Sequence, residues 1–328
     1  MTAALGLLLL SAAVSWLLLA GLVPLLQRRM LDVPNARSSH RRPTPRGGGL
    51  AVVLVAQLAL PLSLLQPARG ALPWLPLLCL PLALVGMLDD RRGLPAGWRY
   101  AVQLLTAVAL VLAAPQPLPW GLLPLLWLAV TAVINFTNFM DGLDGLVAGC
   151  MAVLLATALA LLIRDGSPAP TALVALLPVT GALLGFLGWN WSPARVFLGD
   201  VGSTFLGALL AGVVLQLRQP LEQLGLLLVA LPLLADAGSC VLRRWRAGQP
   251  VFQAHRLHLF QRLHQAGWSH GRVAGLWIAA TGALALVDLL AGPVATAAAA
   301  VPLLALGVLL DQRMAVPFAA PPGGGPER

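Results

Sequence analysis

Asn135-Phe-Thr-Asn138-Phe-Met-Asp141-Gly-Leu-Asp144-Gly145-Leu-Val-Ala-Gly-Cys-Met-Ala-Val-Leu-Leu-Ala-Thr-Ala-Leu-Ala-Leu-Leu-Ile163 holds two messages in one stretch. The second half has no charge, shows no alternation of polar and apolar residues, and is long enough to cross a bilayer as a helix, which takes ~20 residues. A β-barrel would need that alternation, so helices are the spanning structure. The first half places two amides and two carboxylates at every third residue. On a helix, residues three apart are neighbours, so the four groups form one slowly drifting polar stripe. A carboxylate pair beside a bilayer is costly unless a metal, a phosphate held through it, or hydroxyl groups meet it.

Working outward, the same apolar character recurs along the 328 residues. Hydrophobic residues make up 59% and charged residues 10%, with mean hydropathy +0.85. This composition excludes a soluble domain and indicates an all-α, polytopic integral membrane protein. The apolar runs predict about 10–11 transmembrane helices, at roughly 4–26, 49–66, 72–88, 99–114, 119–135, 144–163, 171–189, 203–217, 222–242, 272–291 and 294–311. They form a single domain over residues 1–313, and the Pro- and Gly-rich segment 314–328 is expected to be a disordered tail. The first run lacks a basic segment before it and reads as a retained helix. Cys79, Cys150 and Cys240 lie in or beside apolar runs and read as small core residues.

All 21 basic residues are arginine, and the net charge is +9. Nucleic acid is not the partner this implies. The arginines sort by topology: of the 21, only Arg69, Arg164 and Arg218 fall in the short alternate connections. The positive-inside rule therefore places the other loops in the cytoplasm, with the N-terminus outside and the C-terminus inside. Asp89, Asp90, Asn135, Asn138, Asp141, Asp144, Asn190, Asp200, His255 and His258 all fall on the cytoplasmic side, so the active site is expected to face the cytoplasm.

Each cluster also has a plainer reading. Asp89-Asp90 ends a span, where acids oppose the helix dipole; a solvated helix end explains them, and so does a metal–phosphate ligand. The 135–144 stripe suits interhelical polar contacts, yet two Asp-Gly units exceed what capping needs. Asp200, between Gly199 and Gly202, is either an N-cap or an acid at a helix start facing a metal–phosphate complex. Pro43-Thr-Pro-Arg46-Gly-Gly-Gly49 is basic and glycine-rich but is no P-loop. In the Arg243–Arg272 loop, His255, Arg256 and His258 suit a diphosphate, while an amphipathic surface helix is the alternative. Asp288 reads as a helix-end acid reaching water; Asp236 has no assignment.

In this order the motifs resemble the polyprenyl-phosphate N-acetylhexosamine-1-phosphate transferases, which include the phospho-MurNAc-pentapeptide (MraY-like) and WecA-like enzymes. The resemblance rests on Pro43-Thr-Pro-Arg-Gly-Gly, Asp89-Asp90, Asn135-x-x-Asn138-x-x-Asp141-Gly-Leu-Asp144-Gly-Leu, Phe197-Leu-Gly-Asp200-Val-Gly-Ser and the histidine loop, across nearly the whole chain. It implies Mg2+, with Mn2+ as the alternative ion, and attack of undecaprenyl phosphate on a UDP-N-acetylhexosamine. The products would be undecaprenyl-diphospho-sugar and UMP, opening an O-antigen or other surface polysaccharide. By the same resemblance Asp89 and Asp90 meet and deprotonate the lipid phosphate, and Asp200, with Asp141, holds the metal. Residues matching Asn135, Asp141 and Asp144 line the nucleotide site, and those matching Asn190 and Phe197 lie near the uridine; from their own chemistry Asn138, Arg46, His255, Arg256 and His258 are expected to contact substrate as well. Membrane lipids and, as one option, a second copy of the chain complete the partners.

The chain departs from the family at His255-Arg256-Leu257-His258-Leu259-Phe260-Gln261-Arg262-Leu263. The triple histidine of the peptidoglycan enzyme is absent. One histidine of the WecA-like pattern is Phe260, which looks like the WbpL-like variant and points to a 6-deoxy N-acetylhexosamine as well as N-acetylglucosamine. Two rival readings compete. A CDP-alcohol phosphotransferase expects Ala-Arg after its Asp-Gly, which is missing here. A transporter expects acids near the bilayer midplane and an inverted repeat; neither is visible.

Overall fold

The computed structural model describes residues 2–34, 39–40, 42–66, 70–250, 253 and 255–318. Twelve helices carry the fold among them: α1 (Thr2–Arg29), α2 (Gly49–Leu64), α3 (Leu75–Arg92), α4 (Ala96–Leu112), α5 (Leu123–Phe139), α6 (Leu146–Arg164), α7 (Ala169–Asn190), α8 (Gly199–Gln216), α9 (Pro220–Val229), α10 (Leu231–Arg246), α11 (Leu259–Gln265) and α12 (His270–Arg313). Two short antiparallel strands, β1 (Leu31–Asp32) and β2 (Thr44–Pro45), pair Leu31 with Pro45 and Asp32 with Thr44.

Every expected apolar run lies on a helix, but the crossings count differently. Seven helices are long and apolar enough to span a membrane, and eight if α9 and α10 form one broken span. Helices α2 and α4 are apolar but only 16 and 17 residues long. Where two spans are expected after residue 270, one 44-residue helix is interrupted at Gly292, whose φ of 81° no ordinary helix contains. Pro293 follows and removes a further helical N–H, so the chain breaks there. Helices α9 and α10 meet at 75°. Pro232 in the first turn of α10 supplies the reason: it has no N–H to give and its ring crowds the carbonyl four residues back.

Helix α8 is the centre. Every residue from Val201 to Gln216 is buried, as an all-round apolar helix inside a bundle must be. Its neighbours α3 and α5 reach it through glycine. A methyl on Gly86 of α3 would sit 2.5 Å from the Asp200 carbonyl, and one on Gly207 of α8 would sit 2.8 Å from Ile134 Cα. Close backbone approach is what glycine allows in a helix interface. It also brings the C-terminal ends of α3 and α5 against the N-terminal end of α8.

Past Arg313, residues 314–318 fold back. Val316 N–H donates to the Arg262 carbonyl at 3.3 Å, Arg262 Nη1 donates to the Val316 carbonyl at 2.8 Å, and Phe318 lies under Arg243 and Arg262. The rest of the expected tail, 319–328, lies outside the described residues.

Candidate active site

The site forms where helix ends of opposite sense meet. Segment 44–49 zips to the loop before α8: Phe197 N–H donates to the Pro45 carbonyl, Gly48 N–H to Phe197 and Gly49 N–H to Leu198, at 2.8–2.9 Å. Gly199, with φ 74°, turns the chain into α8. The first turn of α8 leaves backbone N–H groups without helical partners. Asp90 answers one of them, its Oδ2 accepting the Val201 N–H at 3.1 Å. An acid at the C-terminus of α3 thus sits on the N-terminus of α8, where a negative charge is favourable. The apparent clash with its own helix dipole disappears.

Asp89 accepts the Leu94 N–H at 2.5 Å and Arg99 Nη1 at 2.9 Å. Arg99 also approaches Asp200 Oδ2 at 3.7 Å. Asn138 Nδ2 donates to Asp200 Oδ1 at 2.8 Å and to Ser203 Oγ at 2.9 Å. Asp141, in the turn after α5, lies in the same field. Burial first, then the facing charges of Asp200 and Asp90, push its carboxyl well above the usual range, although the Gly199 N–H bonds to it. Asp89, Asp90, Asp141 and Asp200 therefore make one cluster from α3, the α5–α6 turn and α8.

Beside the cluster is a cavity of about 250 Å³, which Asn135, Asn138, Asp200, His255 and His258 help to line. Asn135 is held by its donation to Gln103 Oε1 at 2.7 Å. His255 and His258 are uncharged at neutral pH: burial and then Arg244 hold His255 down to about 4, and burial and then His255 hold His258 down to about 3. Arg256 lies between them in the chain, its carbonyl accepting from Gln265 at 2.8 Å.

Four predicted residues have structural work. Asp144 takes Ala194 N–H at 3.1 Å and faces His270 Nδ1 at 3.1 Å. Burial would raise its carboxyl, but His270 and the Ala194 N–H outweigh that and lower it. Asn190 Oδ1 accepts the Gly145 N–H and its Nδ2 donates to the Val196 carbonyl, both at 2.9 Å. Gly145, at φ 74°, is the left-handed turn that starts α6. The Phe197 ring packs edge-on to His40, centroids 4.8 Å apart. Arg46 pairs with Asp32 at 2.5 Å; burial would lower its basicity, but Asp32, and beyond it Asp90 and Asp200, raise it. None of these four lines the cavity.

Sequence reasoning missed the α4 side of the site. Arg99, Tyr100 and Gln103 all line the cavity. The signal was present: the only tyrosine in the chain sits in a polar first turn of an otherwise apolar helix. Asp236 has a clear place too, its two oxygens accepting the Leu259 and Phe260 N–H groups at 2.7 and 3.0 Å. It fixes the start of α11. Asp288, expected to reach water from a helix end, is instead fully buried and accepts Thr296 Oγ1 at 3.0 Å across the α12 break.

Four carboxylates with one side-chain amide are a hard, oxygen-only donor set, the kind that suits Mg2+. Burial first, and then the facing charges of Asp200 and Asp90, raise the Asp141 carboxyl, and a dication between these acids would relieve the repulsion among them. The residues present fit that ion.

Residues 73–218 match Glycosyl transferase family 4. The chain is 33% identical to a decaprenyl-phosphate N-acetylglucosaminephosphotransferase of Mycobacterium leprae, over 82% of this chain and 80% of that one. A protein of the same name from Mycobacterium tuberculosis is 34% identical, over 82% and 78%. A phospho-N-acetylmuramoyl-pentapeptide-transferase of Synechococcus sp. (strain RCC307) is 36% identical, over 81% and 82%. The chain belongs to Glycosyl transferase family 4. It is a membrane-embedded sugar-phosphate transferase, and the CDP-alcohol and transporter readings fall away. The structure brings the Asp89-Asp90, Asn135-x-x-Asn138-x-x-Asp141 and Gly199-Asp200 stretches together at one end of the helix bundle.

Proposed function

We propose that the enzyme transfers an N-acetylhexosamine-1-phosphate from a UDP-sugar to undecaprenyl phosphate at the cytoplasmic face of a bacterial inner membrane. The observation that carries the reading is the convergence of Asp89, Asp90, Asp141 and Asp200 beside a polar cavity, with Arg99 between Asp89 and Asp200. Phosphoryl transfer asks for positioning and charge neutralisation more than covalent help. An oxygen of the lipid phosphate attacks the β-phosphorus of the UDP-sugar. The bond from that phosphorus to the bridging oxygen breaks, and the oxygen leaves with UMP.

Asp200 and Asp141 would hold Mg2+, which when bound neutralises phosphate charge. Asp89 receives the lipid phosphate's proton, and Arg99 offsets the charge of the incoming phosphate. Asp90 fixes the start of α8, and with it the aim of Asp200. Asn138 pins one Asp200 oxygen and leaves the other towards Arg99. Asn135, Gln103 and the uncharged His255 and His258 offer hydrogen bonds without repelling one another. The sorting of the arginines supports a periplasmic N-terminus and a cytoplasmic C-terminus.

The donor to try first is UDP-N-acetylglucosamine, the sugar named for the mycobacterial relatives. A UDP-6-deoxy-N-acetylhexosamine comes second, on the WbpL-like spelling of residues 255–263. The glycan so begun is an O-antigen or another surface polysaccharide. Purified protein with undecaprenyl phosphate, Mg2+ and a panel of UDP-N-acetylhexosamines should release UMP, and Asp200→Asn should not. Release that needs neither lipid nor metal, or that survives Asp200→Asn, would overturn the reading.

A further inference from the structure

A second group of metal-binding atoms lies where the C-terminal half of α10 meets the histidine loop. Cys240, His255 and His258 each offer one ligand atom, and these atoms lie within 4.8 Å of one another. Cys240 and His258 are buried, 2% and 3% exposed. The His258 ring faces the Gln261 N–H of α11 and the Asp236 backbone, but its buried Nδ1 has no partner in good hydrogen-bond geometry; the closest carboxylate oxygen, Asp236 Oδ1, stands 3.8 Å away and already accepts the Leu259 N–H. A buried ring nitrogen left in this state needs an explanation.

The scaffold holds the three in place. Asp236 and Cys240 are one turn apart on α10, so they share a face. Asp236 grips the first N–H groups of α11, and His258 is the residue just before that helix. His255 Nδ1 accepts the Leu257 N–H at 3.2 Å; metal at either ring nitrogen displaces this one long bond. Nearby positive charge is engaged elsewhere. Arg243 and Arg262 both pair with Asp311, and Arg244 donates to the Pro250 and Gln253 carbonyls.

We infer that Cys240, His255 and His258 form a site for a zinc-class cation, and that filling it shuts the transferase. One sulfur and two imidazoles are a borderline-soft donor set, unlike the all-oxygen set that suits Mg2+, so the two ions separate by chemistry. Binding forms the sulfur–metal bond and sends the Cys240 thiol proton to solvent. His255 and His258 line the substrate cavity, so a metal between them and Cys240 pulls both from substrate and ties the loop to α10. The inhibitory half rests on the transferase reading; the binding half does not.

The test uses the full chain in detergent, stripped with chelator and titrated with Co2+ and Zn2+ in excess Mg2+. One equivalent of Co2+ should give tetrahedral d–d bands and a thiolate-to-cobalt charge-transfer band. Cys240→Ser should lose that band and weaken Zn2+ binding by at least about tenfold, the loss seen even for outer-shell partners. His255→Asn should weaken binding while keeping the thiolate band. Cys240→Ser should also release UMP normally in Mg2+ and resist Zn2+ that stops the parent protein. Co2+ bound without a thiolate band, or equal Zn2+ affinity in Cys240→Ser, overturns the site. Zinc inhibition unchanged in Cys240→Ser overturns the switch. Stoichiometric binding lost in Cys240→Ser upholds the site even if no UDP-sugar yields UMP.

Discussion

Asn138 holds Asp200 by one oxygen: its Nδ2 is 2.8 Å from Asp200 Oδ1 and 2.9 Å from Ser203 Oγ, so one amide spans α5 and the first turn of α8. The bond decides where the second Asp200 oxygen points. Asn138→Ala should lower kcat by about 10–100-fold, the usual cost of losing a partner that orients a metal ligand. Asn138→Asp should do worse, by adding a fifth negative charge to the cluster. UMP release at saturating donor is the readout, with thermal unfolding in detergent as the control for folding. An Asn138→Ala enzyme of full activity would mean Asp200 is aimed by something else.

Gly86 is the narrowest point of the scaffold behind that pair. A Cβ there would stand 2.5 Å from the Asp200 carbonyl carbon and oxygen and 2.6 Å from Val201 N, all of it backbone that cannot rotate away. Gly86→Ala should therefore force α3 and α8 apart, stretch the Asp90–Val201 bond, and cost about 1–3 kcal/mol. Gly97, with nothing within 4 Å of an added Cβ, is the matched control in the next helix. Equal melting temperatures for the two alanine variants would count against close α3–α8 packing as the fixed frame of the site.

Acid should loosen the Asp144 latch. Its carboxyl is lowered in the folded protein, below the ordinary 3.8, by His270 and Ala194 against the opposing effect of burial. A folded-state value below the unfolded one means the contribution is fully present above 3.8 and disappears as pH falls through the folded value. Asp144→Asn should melt lower than the parent at neutral pH, and the gap should close as the buffer is taken below that window. A gap that stays constant on acidification would show that charge is not what makes the latch.

The sequence marked the helices well because bilayer length and lack of charge are local properties. It marked Asp89, Asp90, Asn138, Asp141 and Asp200 because acids in such surroundings are costly and few. Spacing alone could not tell Asp141 from Asp144. Both precede a glycine in one motif, yet only Gly145 takes the left-handed turn, and only Asp144 meets His270. Nor could it place Asn190, whose amide is spent on Gly145 and Val196. Those are long-range partners, and spacing carries no trace of them. The arm from α4 and the role of Asp236 were hidden for the same reason. The two spans expected after residue 270 correspond to the two stretches of α12 on either side of the Gly292 break, because a Gly-Pro pair punctuates a helix in sequence as it does in space.

Phe260 is the remaining test of how the loop sets donor choice. By the resemblance it stands where the WecA-like pattern has histidine, in the loop whose spelling pointed to the donor sugar. In the structure it is fully buried, against Gly142 and stacked on His258 with centroids 5.6 Å apart, while Gln261 and His258 line the cavity. Donor choice should then lie with the cavity-lining pair and not with Phe260 itself. Phe260→Ala should cost about 3–5 kcal/mol of stability, as emptying a large core site does, yet leave the ratio of kcat/KM between competing UDP-sugars unchanged. Gln261→Ala gives up only the long 3.4 Å acceptance from the His258 N–H, so it should cost less stability than Phe260→Ala and should shift that ratio. The two variants assayed on one donor panel separate the cases, and a changed ratio in Phe260→Ala with none in Gln261→Ala would put the sugar against the aromatic ring after all.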